Sequence, residues 1–258
     1  MPNKNPLIEW TDSLKESFFA NFCDYDFPFK GVKVLYNSKY PTLDICNRII
    51  ITKEPDLSSF DFNADYSKRI ISFQHRDELD LAKIKATLSD YYIEDEIIKF
   101  AFGLKEAKLV SPKLDYNISF GFLETEKFFY FDEFNKKNLN EYYPHASLDE
   151  MKLFDQEFIN SHEAFKKLVM ITGDKIVAAA TIYMHEGLVY FYDFCVDKEF
   201  RDDNKLIVNF FIFFANLFKQ YGFYGIYTEV LKSDKSLSKF YKELGFQKFD
   251  SEPVLIRK

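Results

Sequence analysis

The stretch 187–206 reads Gly-Leu-Val-Tyr-Phe-Tyr-Asp-Phe-Cys-Val-Asp-Lys-Glu-Phe-Arg-Asp-Asp-Asn-Lys-Leu. Residues 188–196 are apolar apart from Asp193 and rich in aromatic and β-branched side chains, which is the pattern of a strand buried on both faces. A charged turn follows, and a long apolar helix pattern opens near Lys205. Strand, polar turn and helix N-terminus together form a place where backbone amides and the helix dipole can hold a phosphate.

Working outward, residues 205–221 are apolar almost all round, from Leu206 through Phe210, Phe211 and Phe214 to Phe218. A helix of that kind is buried on every side, so the N-terminal region or a second subunit, as in a homodimer, is expected to cover it. Strands are expected at 116–124, 167–172, 176–185 and 225–230, with helices at 131–143, 147–161 and 235–244 and a final strand pair around 246–257. Ser147 with Glu150 forms a capping-box pattern. Gly173-Asp174-Lys175 and Glu186-Gly187 read as hairpin turns.

Ahead of this lies a mixed region. A helix is expected at 7–22, an aromatic loop at 23–30, and strands at 32–36, 47–52 and 69–73. A loop is expected at 54–68, helices at 77–89 and 92–103, and a short strand at 107–110. The chain of 258 residues is long enough for two domains, divided as 1–111 and 112–258.

Composition narrows the function. The net charge is −7, with no block of Lys and Arg, which argues against nucleic-acid binding. Three unclustered cysteines argue against a disulfide framework and suit a reducing cytoplasm. No secretory leader and no run of about 18 apolar residues is apparent, so no membrane span is expected. The four histidines lack metal-ligand spacing, so no metal site is expected.

Two motifs and their order carry a resemblance. Val196 is followed five residues later by Arg201-Asp202-Asp203-Asn204-Lys205-Leu206, and residues 233–246 end in Tyr241-Lys-Glu-Leu-Gly245-Phe246. In this element order the chain resembles the GCN5-related N-acetyltransferase (GNAT) superfamily. The Arg of the family's phosphate loop is present, and its two small residues are replaced by Asn204 and Leu206. The resemblance implies an α/β class with a mixed sheet, a C-terminal acyltransferase fold, and a smaller α/β region ahead of it, readable as a degenerate repeat of that fold.

The resemblance also implies chemistry. Acetyl-CoA would donate an acyl group to the primary amine of a small molecule or protein. Main chain of Phe194, Cys195 and Val196 would hold the pantetheine arm, and Arg201, Asp202, Asp203, Asn204, Lys205 and Leu206 would face the diphosphate. Tyr241 would return a proton to the thiolate. Asp193, a carboxylate inside an apolar strand, and Glu229 on the next strand are the candidate bases. Bland readings stand beside these: 197–204 as a solvated turn with an aspartate capping the helix, Tyr241 as a packed ring, Asp193 bonded to a neighbouring element. A chain of this fold that binds a ligand or partner without acyl transfer is the alternative.

Overall fold

The structure, a computed structural model, describes residues 6–52, 70–74, 79–89, 92–105, 107, 109–113, 117–124, 128–142, 146–161 and 163–257. They form two compact units that do not follow chain order. The first comprises 1–99, 229–241 and 248–258, the second 100–228 and 242–247. The chain therefore passes between units inside strands and a helix, and not at the expected 111/112 boundary.

In the second unit, β6 (Ser119–Phe122), β7 (Phe165–Thr172), β8 (Lys175–His185) and β9 (Leu188–Val196) form an antiparallel run. Part of β10 (Gly225–Leu231) then pairs with β9 in parallel. The β8–β9 connection is a two-residue turn with both Glu186 and Gly187 at positive φ, the twist that suits a tight hairpin. A Cβ at Gly187 would meet the Tyr224 ring at 2.5 Å, so glycine is required there for space as well as for φ.

Helices α3 (Phe128–Tyr142) and α4 (Leu148–Ser161) cover one face of this sheet. Phe128, Phe131 and Phe134 of α3 pack with Val169, Ala179 and Cys195. Ser147 caps α4, its hydroxyl accepting from the Glu150 N–H at 3.3 Å. Helix α5 (Asn204–Gln220) lies on aromatic side chains that include Phe191, Phe194 and Phe102. Much of its cover comes from within the same unit. Phe120 of β6 stacks on Phe213 at 4.3 Å, and the Asn209 amide donates to the Pro112 carbonyl at 2.9 Å. Lys219 likewise donates to the Ala107 carbonyl. The described residues of 107–110 are irregular chain held along this helix, where a strand was expected.

The first unit contains α1 (Pro6–Ala20), β1 (Asp24–Phe29), β2 (Val32–Tyr36), β3 (Arg48–Ile51), β4 (Ile70–Phe73) and α2 (Leu81–Leu88). To these it adds most of β5 (Tyr92–Gly103), most of β11 (Gln247–Arg257) and part of α6 (Lys235–Glu243). Strands β1 to β4 and β11 are neighbours in that order. Val32, Val34, Ile49, Ile51, Ile71 and Phe73 make one face apolar, and Ile84 and Leu88 of α2 close it.

Three expectations are corrected here. Residues 23–30 contain strand β1, paired with β2 despite Pro28, because an edge position tolerates proline's missing donor. Residues 92–103 are strand β5, not a helix. The run 97–100 is buried at every position, and a strand covered on both faces has the same apolar content as a buried helix turn. The end of the chain is one long strand, β11, where a pair was expected. Helix 77–89 is shorter than expected at 81–88, with 75–78 outside the described residues, as is the loop expected at 54–68.

Candidate functional site

Strand β9 is irregular at its centre. Cys195 pairs with Ala179 and Tyr192 pairs with Thr181, so Asp193 and Phe194 together face the single residue Ala180. This β-bulge carries Asp193 at φ 55°. A left-handed backbone is costly for most side chains, and Asp is among those that bear it best.

Side chains on the α3/α4 face hold the bulge. Lys167 of β7 and Thr181 of β8 are directly paired. The Lys167 ammonium donates to Asp193 Oδ2 at 2.9 Å and to Thr181 Oγ1 at 2.6 Å, and Thr181 in turn donates to the same Asp193 oxygen at 3.2 Å. Asp155 of α4 completes the group at 3.4 Å from Lys167, and the Phe131 ring lies under the ammonium at 4.8 Å.

Lys167 has a side chain only 2% exposed. Burial works against its charge, but the Asp155 and Asp193 carboxylates outweigh that and hold the amine above its ordinary value. Burial pushes the Asp155 carboxyl up to about 6, with Lys167 pulling it back and Asp193 adding to the rise. Asp193 Oδ1 is buried with no hydrogen-bond partner among the described residues. A strained residue holding one unsatisfied acceptor is the kind of position that functional sites retain.

The parallel ladder between β9 and β10 is short. It joins Leu188, Val189 and Tyr190 to Gly225, Ile226 and Tyr227, and β9 continues six residues past its end, through the bulge to Val196. No family model matches the sequence, and no curated protein matches it. Solved structures do. A GCN5-related N-acetyltransferase from Kribbella flavida aligns over 95% of this chain and 93% of its own, with TM-score 0.57 at 9% identity. One from Sphaerobacter thermophilus aligns over 88% and 76%, with TM-score 0.57 at 11% identity. The chain has the GCN5-related N-acetyltransferase fold.

A functionally unknown conserved protein from Staphylococcus epidermidis ATCC 12228 shares the architecture over 91% of this chain and 94% of its own, with TM-score 0.66 at 12% identity. At these identities the likeness extends to fold and no further.

Within the acetyltransferase fold, the turn after β9 is built mainly on its own residues. Asp197 is buried and accepts from Lys137 Nζ at 3.0 Å and from the Glu199 N–H at 3.0 Å. Burial works against its charge, but that amide and ammonium hold its carboxyl below the ordinary range. The Lys198 N–H donates to Asn138 of α3, and Arg201 Nε donates to the Val196 carbonyl at 3.2 Å.

Asp203 is the N-cap of α5, and its Oδ1 accepts from the Leu206 N–H at 3.0 Å. The amides of Asp203 and Asn204 bond to the carbonyls of Phe200 and Asp202. The amides of Asp202 and Lys205 have no acceptor among the described residues. The Leu206 side chain is fully buried. In the turn expected to face a diphosphate, the Asp203 carboxylate thus takes the Leu206 donor, and the amides of Asp202 and Lys205 remain.

The other candidates lie in the first unit. Glu229 accepts from Lys15 Nζ at 2.8 Å, a buried ion pair. Tyr241, on α6, is 2% exposed. Asp193, the 194–196 main chain and the 201–206 turn all fall in the second unit. Sequence reasoning missed Lys167, Asp155 and Thr181. The signal for Lys167 was the one that flagged Asp193, an ionisable group inside an apolar strand. Asp155 sits on a helix whose exposed face is also acidic, and its spacing gave no warning.

Proposed function

We propose that the chain is an acyl-CoA-dependent N-acyltransferase. It would move an acyl group, acetyl in the simplest case, from the thioester to the primary amine of a small molecule or protein. The observation that carries this reading is the early end of the β9–β10 ladder followed by the bulge at Asp193. Strand main chain beyond a ladder's end offers N–H and C=O groups at regular spacing, and the two amides of a pantetheine arm match an added strand. Phe194, Cys195 and Val196 supply that main chain.

In the proposed reaction the amine nitrogen attacks the thioester carbonyl carbon, and a C–N bond forms as the C–S bond breaks. The nitrogen loses a proton and the departing thiolate gains one. Asp193 is the carboxylate on this strand, and Oδ1 is the oxygen that Lys167 and Thr181 do not occupy. Tyr241 as donor to the thiolate and Glu229 as rival base rest on the family resemblance alone. The diphosphate would meet the Asp202 and Lys205 amides and the Lys205 ammonium, with Asp202 and Asp203 opposing it.

One observation favours a second reading. Asp203 caps α5 from within, so the helix dipole is already neutralised by a carboxylate. That suits a chain that binds a ligand or partner without transferring an acyl group. Calorimetric titration with CoA and acetyl-CoA separates the two. Binding tighter than about 1 mM, weakened in Lys205→Glu and accompanied by thiol release with an amine present, supports the enzyme. Folded protein that takes up no CoA at that concentration supports the second reading.

A further inference from the structure

Strand register in the first unit sets five polar side chains on the sheet face opposite the dry α2 face. Lys33 pairs with Ile50, which pairs with Ser72. Arg48 lies two residues before Ile50 on the same face, and Gln74 two beyond Ser72. Glu252 of β11 lies two residues before Val254, the partner of Ser72. In a small sheet both faces are ordinarily apolar wherever a helix lies over them. Here α1 brings Lys15, Glu16 and Phe19 to this face, and a cavity of about 20 Å³ remains between.

The charges in this cavity are unevenly compensated. Lys15 is paired with Glu229, and Glu252 lies 3.3 Å from Lys99. Arg48 has its guanidinium 4.8 Å from the Phe19 ring centre, and its buried Nε–H has no acceptor among the described residues. The Lys33 ammonium lies 4.1 Å from the Tyr25 ring centre, and no carboxylate meets it among the described residues. Glu16 is exposed. Among the described residues, neither Arg48 nor Lys33 is in an ion pair, in a chain whose net charge is −7.

We propose that this cavity binds the carboxylate group of a small organic acid, with Arg48 donating from its Nε–H, Lys33 supplying the second charge, and Ser72 and Gln74 within the same notch. A buried guanidinium N–H left unsatisfied costs on the order of 1–3 kcal/mol, which a charge-assisted bond to a carboxylate removes. Charge selects the carboxylate. The space is that of about one water, room for one anionic oxygen with the rest of the acid outside. Glu16 and Glu252 line the same cavity and oppose a phosphate dianion more than a monoanion. This site is independent of the acyltransferase reading and stands if that reading fails.

The test follows the arginine Nε–H resonances of ¹⁵N-labelled full-length protein during titration with sodium acetate, with chloride holding ionic strength constant. Arg48→Lys assigns the resonance. Saturable movement of the Arg48 signal, weakened about tenfold in Lys33→Gln and weaker with inorganic phosphate than with acetate, is the expected result. A non-saturating or absent response overturns the proposal. So does an unchanged affinity in Lys33→Gln, or tighter binding of phosphate. Lys33 is half-buried, so its variant is expected to fold; if Arg48→Lys does not, triple-resonance spectra of the parent assign the Arg48 signal and the Lys33→Gln comparison stays decisive.

Discussion

Lys167 Nζ lies 2.9 Å from Asp193 Oδ2, reaching from β7 past β8 to the one residue of β9 whose backbone is left-handed. The bond ties a strained backbone to a buried cation. It also leaves Oδ1 as the carboxylate oxygen with no hydrogen-bond partner among the described residues. The bulge, the early ladder end and the buried lysine are thus one arrangement.

Removing that cation leaves two carboxylates facing each other in a dry place. Lys167→Met is expected to cost about 3–5 kcal/mol, the usual penalty for breaking a buried ion pair from one side. The triple variant Lys167→Met, Asp155→Asn, Asp193→Asn removes all the charge and is expected to recover most of that loss. Urea unfolding of both variants checks the pair. Equal stability of the single variant and the parent would show that the cluster holds nothing together.

Asp155 gives stability a pH dependence of unusual sign for a carboxylate. Its folded value of about 6 lies above the ordinary 3.8. Between those values the folded chain holds a proton that the unfolded chain has released, so stability falls as pH rises. The Asp155 contribution is complete below pH 3.8 and is lost through pH 6, roughly 3 kcal/mol in all. Lys167 acts in the same sense at alkaline pH. Its contribution is present below the ordinary lysine value and lost as pH passes the raised one. The stability of the parent minus that of Asp155→Asn, measured at pH 4, 5 and 6, should decline across the series. A constant difference rules out the elevated carboxyl.

Much of this was readable from residues 187–206. The aromatic run gave the central strand, and Asp193 stood out as the one carboxylate within it. The N-cap was foreseen as one of two readings, and Asp203 fills it. The bulge was not legible, because a one-residue shift in register leaves no mark on composition. Strand β5 was misread because a doubly buried strand loses the alternation that distinguishes it from a helix. The interleaved units were hidden for a similar reason. A boundary inside a strand has none of the Pro, Gly or polar residues by which linkers announce themselves.

Cys195 lies next to the proposed pantetheine track but is expected to be inert. Burial, then the Asp193 carboxylate, pushes its thiol up to about 12. At pH 8 the thiolate fraction would be about one part in ten thousand. Cys23 and Cys46 are buried as well. Native protein should therefore release little chromophore from an aromatic disulfide reagent until guanidinium is added, when all three thiols react. Rapid native labelling of Cys195, located by peptide mapping, would contradict the buried placement.

Asp203 offers the most direct test of the proposed diphosphate contact at the head of α5. Its carboxylate satisfies the Leu206 amide and places a negative charge at the head of α5. Serine caps a helix about as well as aspartate, so Asp203→Ser is expected to change stability by less than about 1 kcal/mol. It removes a charge that repels an anion at the helix end, an effect of about 1 kcal/mol or roughly fivefold in affinity. If the cradle still works, CoA binds more tightly to Asp203→Ser, and the gain shrinks at high salt. Dephospho-CoA should gain as much, because the altered contact is with the diphosphate and not the ribose phosphate. Unchanged affinity for both would mean that the diphosphate does not approach α5, and the donor would have to be held by β9 alone.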